Sequence, residues 1–270
     1  AAGAAAVSPA TIGATTIAVT NLSNGQTAEI FGSAADSGNV VVDLGLEDAS
    51  GNSDSLSINL TPDGGAQTVD NITTTDTENL TANVDNGDDE SAQNATVSTL
   101  DATGAESLTL TSSPDDGLTI GAFSNGGDIA NVDLTGMQAG FSIANTGGGS
   151  TYTIGSIGDG VAGSDNVDSD GTGGTADTNA STIELQDSAR DTLVFNSDSL
   201  DNFLLITDSA TDGVDGGGDL SDDQLDFSAF TGITGTSDLT FDTGDYDADS
   251  ASDDLAITSD AFDGTLVLAN

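Results

Sequence analysis

Between Gly213 and Phe230 the chain reads GVDGGGDLSDDQLDFSAF: carboxylates recur every few residues on glycine-rich ground, then give way to an apolar stretch. The chemistry open to such a run narrows quickly. The chain has no His and no Cys, and its one cation is Arg190. Nucleophile–base triads, thiolates, Schiff bases and His-ligated zinc are therefore excluded. Paired carboxylates can hydrolyse glycosides, but sugar sites want aromatic platforms, and there is no Trp and only two Tyr, Tyr152 and Tyr246. A β-helical polysaccharide lyase would need a base that a lone Arg190 does not supply. The chain is expected not to be an enzyme.

Hard-cation binding fits better. Ca²⁺ takes six to eight oxygens at flexible geometry, and Asp on glycine turns presents them. The candidate ligands form four sets: Asp215, Asp219, Asp222, Asp223 and Asp226, with Asp212 beside them; Asp159, Asp165, Asp168 and Asp170; Asp245, Asp247 and Asp249, with Asp242; and Asp85, Asp88 and Asp89, with Glu90. Of the first set, Asp226 lies between Leu225 and Phe227 and is the carboxylate most expected to face an ion. No EF-hand loop and no tandem glycine-rich nonapeptide is present. Simple solvation of an acidic surface remains open for each set.

The charge balance makes the cation question general. The chain of 270 residues carries a net charge of −45, with 40 Asp against 6 Glu. Asp is preferred where a short carboxylate closes a turn or holds a hard cation. Self-repulsion opposes compaction, and one Arg cannot pair 46 acids. The compensating charge must come from solution, as divalent cations or salt. Nucleic acid and anionic membrane surfaces are excluded as partners, since both need Lys or Arg. No disulfide is available, and no apolar run of about 18 residues exists to insert in a membrane. The opening AAGAAAV is not a signal peptide; with the strand that ends the sequence, it reads as the start of a mature subunit.

The elements that must position these carboxylates are strands. Helix formers are scarce, whereas apolar–polar alternation runs through 16–20, 55–60, 106–111 and 141–144, with Ser and Thr as the polar partners. Continuous apolar strands follow at 192–195, 203–206 and 265–268. Turn clusters such as Ser23-Asn24-Gly25 and Pro62-Asp63-Gly64-Gly65 separate them. The segments DSLSINL, TENLTANV, AESLTLT and IANVDLT share one frame, in which Leu56, Leu80, Leu108 and Val132 are 24, 28 and 24 residues apart. A rung of about two dozen residues cannot bury its own face, so stacking into an all-β parallel β-solenoid is expected; β-sandwich domains are the alternative. Residues 1–160 form the strand-repeat region, 161–179 a Gly/Asp-rich linker or calcium loop, and 180–270 a β-rich C-terminal part.

The frame TIAVTNLSNGQTAEI (16–30), GNSDSLSINLT (51–61), TENLTANV and AESLTLT resembles the β-strand repeats of bacterial surface-layer proteins, which are secreted by the type I route and related to RTX proteins. DDQLDFSAFTG (222–232) and the closing AFDGTLVL (261–268) are similar to segments near the C-terminus of that family. The resemblance implies a solenoid-like fold, Ca²⁺ in the turns and self-assembly outside the cell. The expected function is thus an extracellular, Ca²⁺-dependent structural protein of a surface layer or filament. Its partners would be copies of itself and, secondarily, a cell-surface polysaccharide. The alternatives are a calcium-stabilised spacer or binding module of a larger adhesin and an ice-binding solenoid. The last would use Thr73/Thr75, Thr109/Thr111 and Thr151/Thr153 as a ladder.

Overall fold

The computed structural model describes residues 5–7, 15–32, 40–48, 50–51, 53–86, 93–113, 116–124, 129–145, 151–154, 181–185, 192–195, 203–208, 224–228, 230, 232–244 and 254–268. Its strands are β1 (Ala5–Val7), β2 (Thr15–Leu22), β3 (Gln26–Gly32), β4 (Val40–Leu46) and β5 (Ser55–Pro62). There follow β6 (Gln67–Thr75), β7 (Asn79–Val84), β8 (Ala95–Thr103), β9 (Ser107–Ser112) and β10 (Leu118–Ser124). Then come β11 (Asn131–Gly136), β12 (Phe141–Asn145), β13 (Thr151–Ile154), β14 (Ser181–Leu185) and β15 (Thr192–Phe195). The last are β16 (Phe203–Asp208), β17 (Gln224–Asp226), β18 (Thr240–Gly244), β19 (Asp254–Ser259) and β20 (Phe262–Leu268).

Odd-numbered strands to β17 form a nine-stranded sheet. Even-numbered strands to β16, extended by β20, β19 and β18, form an eleven-stranded sheet. Each turn of chain gives one strand to each sheet and pairs in parallel with the turn before and after it, so the fold is a β-solenoid. Among the described residues only β18–β19 and β19–β20 pair antiparallel. Pairs β12–β14 and β13–β15 carry both sheets across residues 161–179.

The repeat read from the sequence is the physical register. Leu56, Leu80, Leu108 and Val132 are direct neighbours across β5, β7, β9 and β11. Tyr152 and Leu193 continue that column. The opposite sheet answers with Val69, Val97, Ile120, Ile143, Ile183 and Ile206. All of these are buried. Each such side chain withdrawn from water stabilises the fold by about 1.5–3 kcal/mol, and a layer of them exists only because the turns stack.

Each repeat holds two strands, not the one its alternation advertises. The second strands hide because their period slips: in β6, β8 and β10 the buried pairs Val69/Ile72, Val97/Leu100 and Ile120/Phe123 are three residues apart. The slip is a kink at the same place in each strand, so the pairing of β6 with β8 and of β8 with β10 keeps one register through it. Gly121 lies in it because a Cβ there would stand 3.1 Å from the Ser98 carbonyl oxygen. At the following corner Asp76 (φ 52°) and Gly104 (φ 95°) take the left-handed conformation that Asp and Gly tolerate best.

The polar outer face of the nine-stranded sheet is laddered by side-chain bonds. Asn83 donates to Asn59 Oδ1 at 2.6 Å, Thr111 to Asn83 Oδ1 at 2.7 Å, and Ser107 to Asn79 Oδ1 at 2.9 Å. Of the three Thr pairs, Thr73/Thr75 lies on the eleven-stranded sheet, and Asp133 intervenes in register between Thr109 and Thr153. The three pairs do not stack into one ladder. Among the described residues there is no α-helix, and no helix is long and apolar enough to cross a membrane.

Candidate functional site

Of the carboxylates singled out as cation ligands, Asp85, Asp226 and Asp242 fall on described residues. Asp88, Asp89, Glu90, Asp159, Asp165, Asp168, Asp170, Asp212, Asp215, Asp219, Asp222, Asp223, Asp245, Asp247 and Asp249 lie outside them. Asp85 is exposed at the end of β7. Asp226 turns back on its own chain: its Oδ1 accepts the Ser228 N–H at 2.9 Å. Among the described residues no group of three acids is placed to share a metal ion.

What the described acids do is close corners. A recurring Asp-x-Ser/Thr tripeptide marks the simplest case. Asp48 Oδ1 accepts from Ser50 N–H (3.1 Å) and Oγ (2.6 Å), and Asp133 Oδ1 from Thr135 N–H (2.9 Å) and Oγ1 (2.6 Å). Asp226 and Ser228 repeat the pattern. This is the local side-chain turn that favours Asp over the longer Glu, and it was legible in the tripeptide itself.

Two buried carboxylates tie corners of different turns together, and nothing in their local sequence announces them. Asp54 accepts from Asn24 Nδ2 at 2.6 Å and from Gly51 N–H at 3.1 Å, while its own N–H donates to Glu78 Oε2 at 2.8 Å. Asp116, fully buried, accepts from the N–H groups of Asn86 (2.9 Å) and Gln93 (3.0 Å) and from the Ser113 hydroxyl. Gln93 Oε1 in turn accepts Gly65 N–H at 2.9 Å, and Asn94 Oδ1 accepts Gly117 N–H at 2.9 Å. One polar network thereby joins the corners of three successive turns.

The C-terminal end is closed by aromatic rings. Phe227 stacks on Phe195 with centroids 4.8 Å apart and on Phe262 at 6.2 Å, and Phe230 meets Phe227 and Phe262 edge-on at 6.0 and 5.6 Å. The apolar half of the run that drew attention first is this plug. Beside it a polar cleft of about 760 Å³ is bounded by Ser237, Asp238, Thr240, Thr258, Ser259 and Thr265.

The chain matches no protein family, no curated protein and no solved structure.

Three turn carboxyls, exposed Asp48 and half-buried Asp226 and Asp238, are held below the ordinary Asp value of 3.8. The causes are the Ser50 hydroxyl and N–H at Asp48, the Ser228 hydroxyl and N–H at Asp226, and the Thr234 N–H and hydroxyl at Asp238. A lowered folded pKa stabilises the fold above the unfolded value, and that contribution is lost as pH falls through the folded one. Carboxyl-carbon NMR titration is expected to give midpoints below 3.8 at these three positions, and Thr234→Val is expected to move Asp238 upward.

Proposed function

We propose that the chain is an extracellular structural protein that assembles into a surface layer or filament, with Ca²⁺ supplying the positive charge its sequence lacks. One observation carries this reading. Stacking places like charges in columns: Asp54, Glu78 and Glu106 immediately precede the paired residues Ser55, Asn79 and Ser107 of β5, β7 and β9. Neighbouring strands are about 4.8 Å apart. Unit charges about one strand spacing apart would repel by roughly 1 kcal/mol in bulk water and by more at a protein surface, and the donors that Asp54 and Glu78 meet, Asn24 Nδ2 and the Gly51 and Asp54 N–H groups, carry no charge to offset this. With 46 acids and one cation in the chain, the relief must come from solution. The resemblance of 16–30, 51–61 and 222–232 to surface-layer strand repeats is the second support. The Asp-rich segments 159–170, 209–223 and 245–253 separate successive strands, so cations held there would brace the stack.

Dialysis into EGTA at low salt, followed by circular dichroism and light scattering, tests it. Each site at a Ca²⁺ concentration about 100 times its Kd stabilises the folded state by about 2.7 kcal/mol. The β signal and the scattering are therefore expected to fall on chelation and return with millimolar Ca²⁺. Fold and assembly that survive complete chelation would remove calcium from the proposal. A folded monomer that persists at millimolar Ca²⁺ would favour the spacer module of a larger adhesin.

A further inference from the structure

We propose that β18 is a homodimer contact, pairing antiparallel with β18 of a second copy about a two-fold axis through Phe241; the inference rests on the self-assembly reading above. Strand β18 ends the eleven-stranded sheet, and among the described residues it pairs only with β19. It is exposed at four of its five positions. Phe241, 49% exposed, is the one large apolar side chain left in solvent among the described residues. An open edge is ordinarily blunted by Lys, Pro or a bulge; TFDTG has none of these, and its register with β19 is unbroken. Its single charge is Asp242.

The backbone is turned for pairing. Thr243 N–H donates to Asp242 Oδ1 at 3.0 Å, so it points away from β19. Antiparallel strands alternate, so the N–H and C=O of Phe241, two residues earlier, face the open edge as well. A two-fold axis through Phe241 lets the two Phe241 residues exchange both N–H···O bonds and sets their rings opposite each other, the most favourable class of cross-strand pair. The same register places Asp242 of each copy opposite Thr240 of the other, carboxylate to hydroxyl. Moving the axis one residue to Asp242 would set carboxylate against carboxylate, which is unfavourable. The strand is thus self-complementary in one register. Such a contact is isologous and closed, so it makes dimers; a lattice needs a second, different contact.

Sedimentation velocity at millimolar Ca²⁺, and in about 1 M NaCl where the screening length is about 3 Å, reads the contact directly. The wild-type chain and Phe241→Tyr are expected to form dimers or larger species. Phe241→Asp, which opposes two charges, and Thr243→Pro, which removes an N–H that β19 does not use, are expected to lose the dimer with circular dichroism unchanged. Because the chain has no Cys, Phe241→Cys is expected to oxidise to a covalent dimer, whereas Thr240→Cys, facing Asp242, is not. The two Cys variants keep the test open if Thr243→Pro does not fold. A wild-type chain that stays monomeric while folded overturns this contact and self-assembly together. Variants that assemble like wild type, or equal cross-linking at 240 and 241, overturn the contact alone and leave self-assembly standing through another surface.

Discussion

Phe230→Ala is expected to destabilise the solenoid by about 3–5 kcal/mol, the usual cost of emptying a buried aromatic site. Phe230 is 3% exposed and packs edge-on against Phe227 and Phe262. Its surroundings cannot collapse easily, because those rings are pinned from both sheets. Phe227 stacks on Phe195 of β15 in the nine-stranded sheet, and Phe262 belongs to β20 in the eleven-stranded one. A stack in which each turn touches only its neighbours is nearly one-dimensional, and its last turn has a neighbour on one side only. The aromatic plug covers the core on that open side. Denaturant unfolding at fixed Ca²⁺ should show a lowered midpoint, and native-state hydrogen exchange should quicken in β15, β17 and β20 before it does in β5, β7 and β9. Phe241→Ala, at the exposed edge, is the control when both variants are measured at a protein concentration where the chain is monomeric, and it should change stability by less than about 0.5 kcal/mol. Equal losses at 230 and 241 would mean that the plug does not hold the end.

The sequence discloses β5, β7 and β9 far better than β6, β8 and β10, and the reason is local. In β5, β7 and β9 every second residue is inward, so DSLSINL, TENLTANV and AESLTLT align by eye and Leu56, Leu80 and Leu108 fall into register. In β6, β8 and β10 the shared kink breaks the period, and Val69 to Ile72 no longer reads as a strand. Carboxylates divide in the same way. Asp48, Asp133 and Asp226 close turns on a Ser or Thr two residues later, so a tripeptide predicts them. The carboxylates of Asp54 and Asp116 also accept from Asn24 and Gln93, 30 and 23 positions away, neighbours that only stacking supplies. Asp226 illustrates the limit from the other side. Its place between Leu225 and Phe227 marked it as the carboxylate most expected to face an ion; in the structure those two residues pack against the core, Phe227 joins the aromatic plug, and the Asp226 Oδ1 accepts the Ser228 N–H.

Asp116→Leu is expected to cost about 4 kcal/mol, a large effect for a residue that a sequence reading would place on the surface. The replacement leaves the N–H of buried Gln93 and that of half-buried Asn86 without their acceptor, and each such orphaned group costs about 1–3 kcal/mol. Asp116→Asn keeps one acceptor oxygen but turns an amide NH₂ toward a donor, so it should lose about half as much. Urea unfolding with an unchanged slope for both variants would place the loss in the native bonds; wild-type midpoints would show that Asn86 and Gln93 find other acceptors. A second consequence separates scaffold from ligand. Asn86 and Gln93 bracket the stretch of chain that carries Asp88, Asp89 and Glu90, so one carboxylate fixes both ends of a proposed calcium loop. Asp116→Leu should therefore weaken stabilisation by Ca²⁺ and lower stability in EGTA, whereas Asp88→Asn with Asp89→Asn should reduce only the Ca²⁺-dependent part.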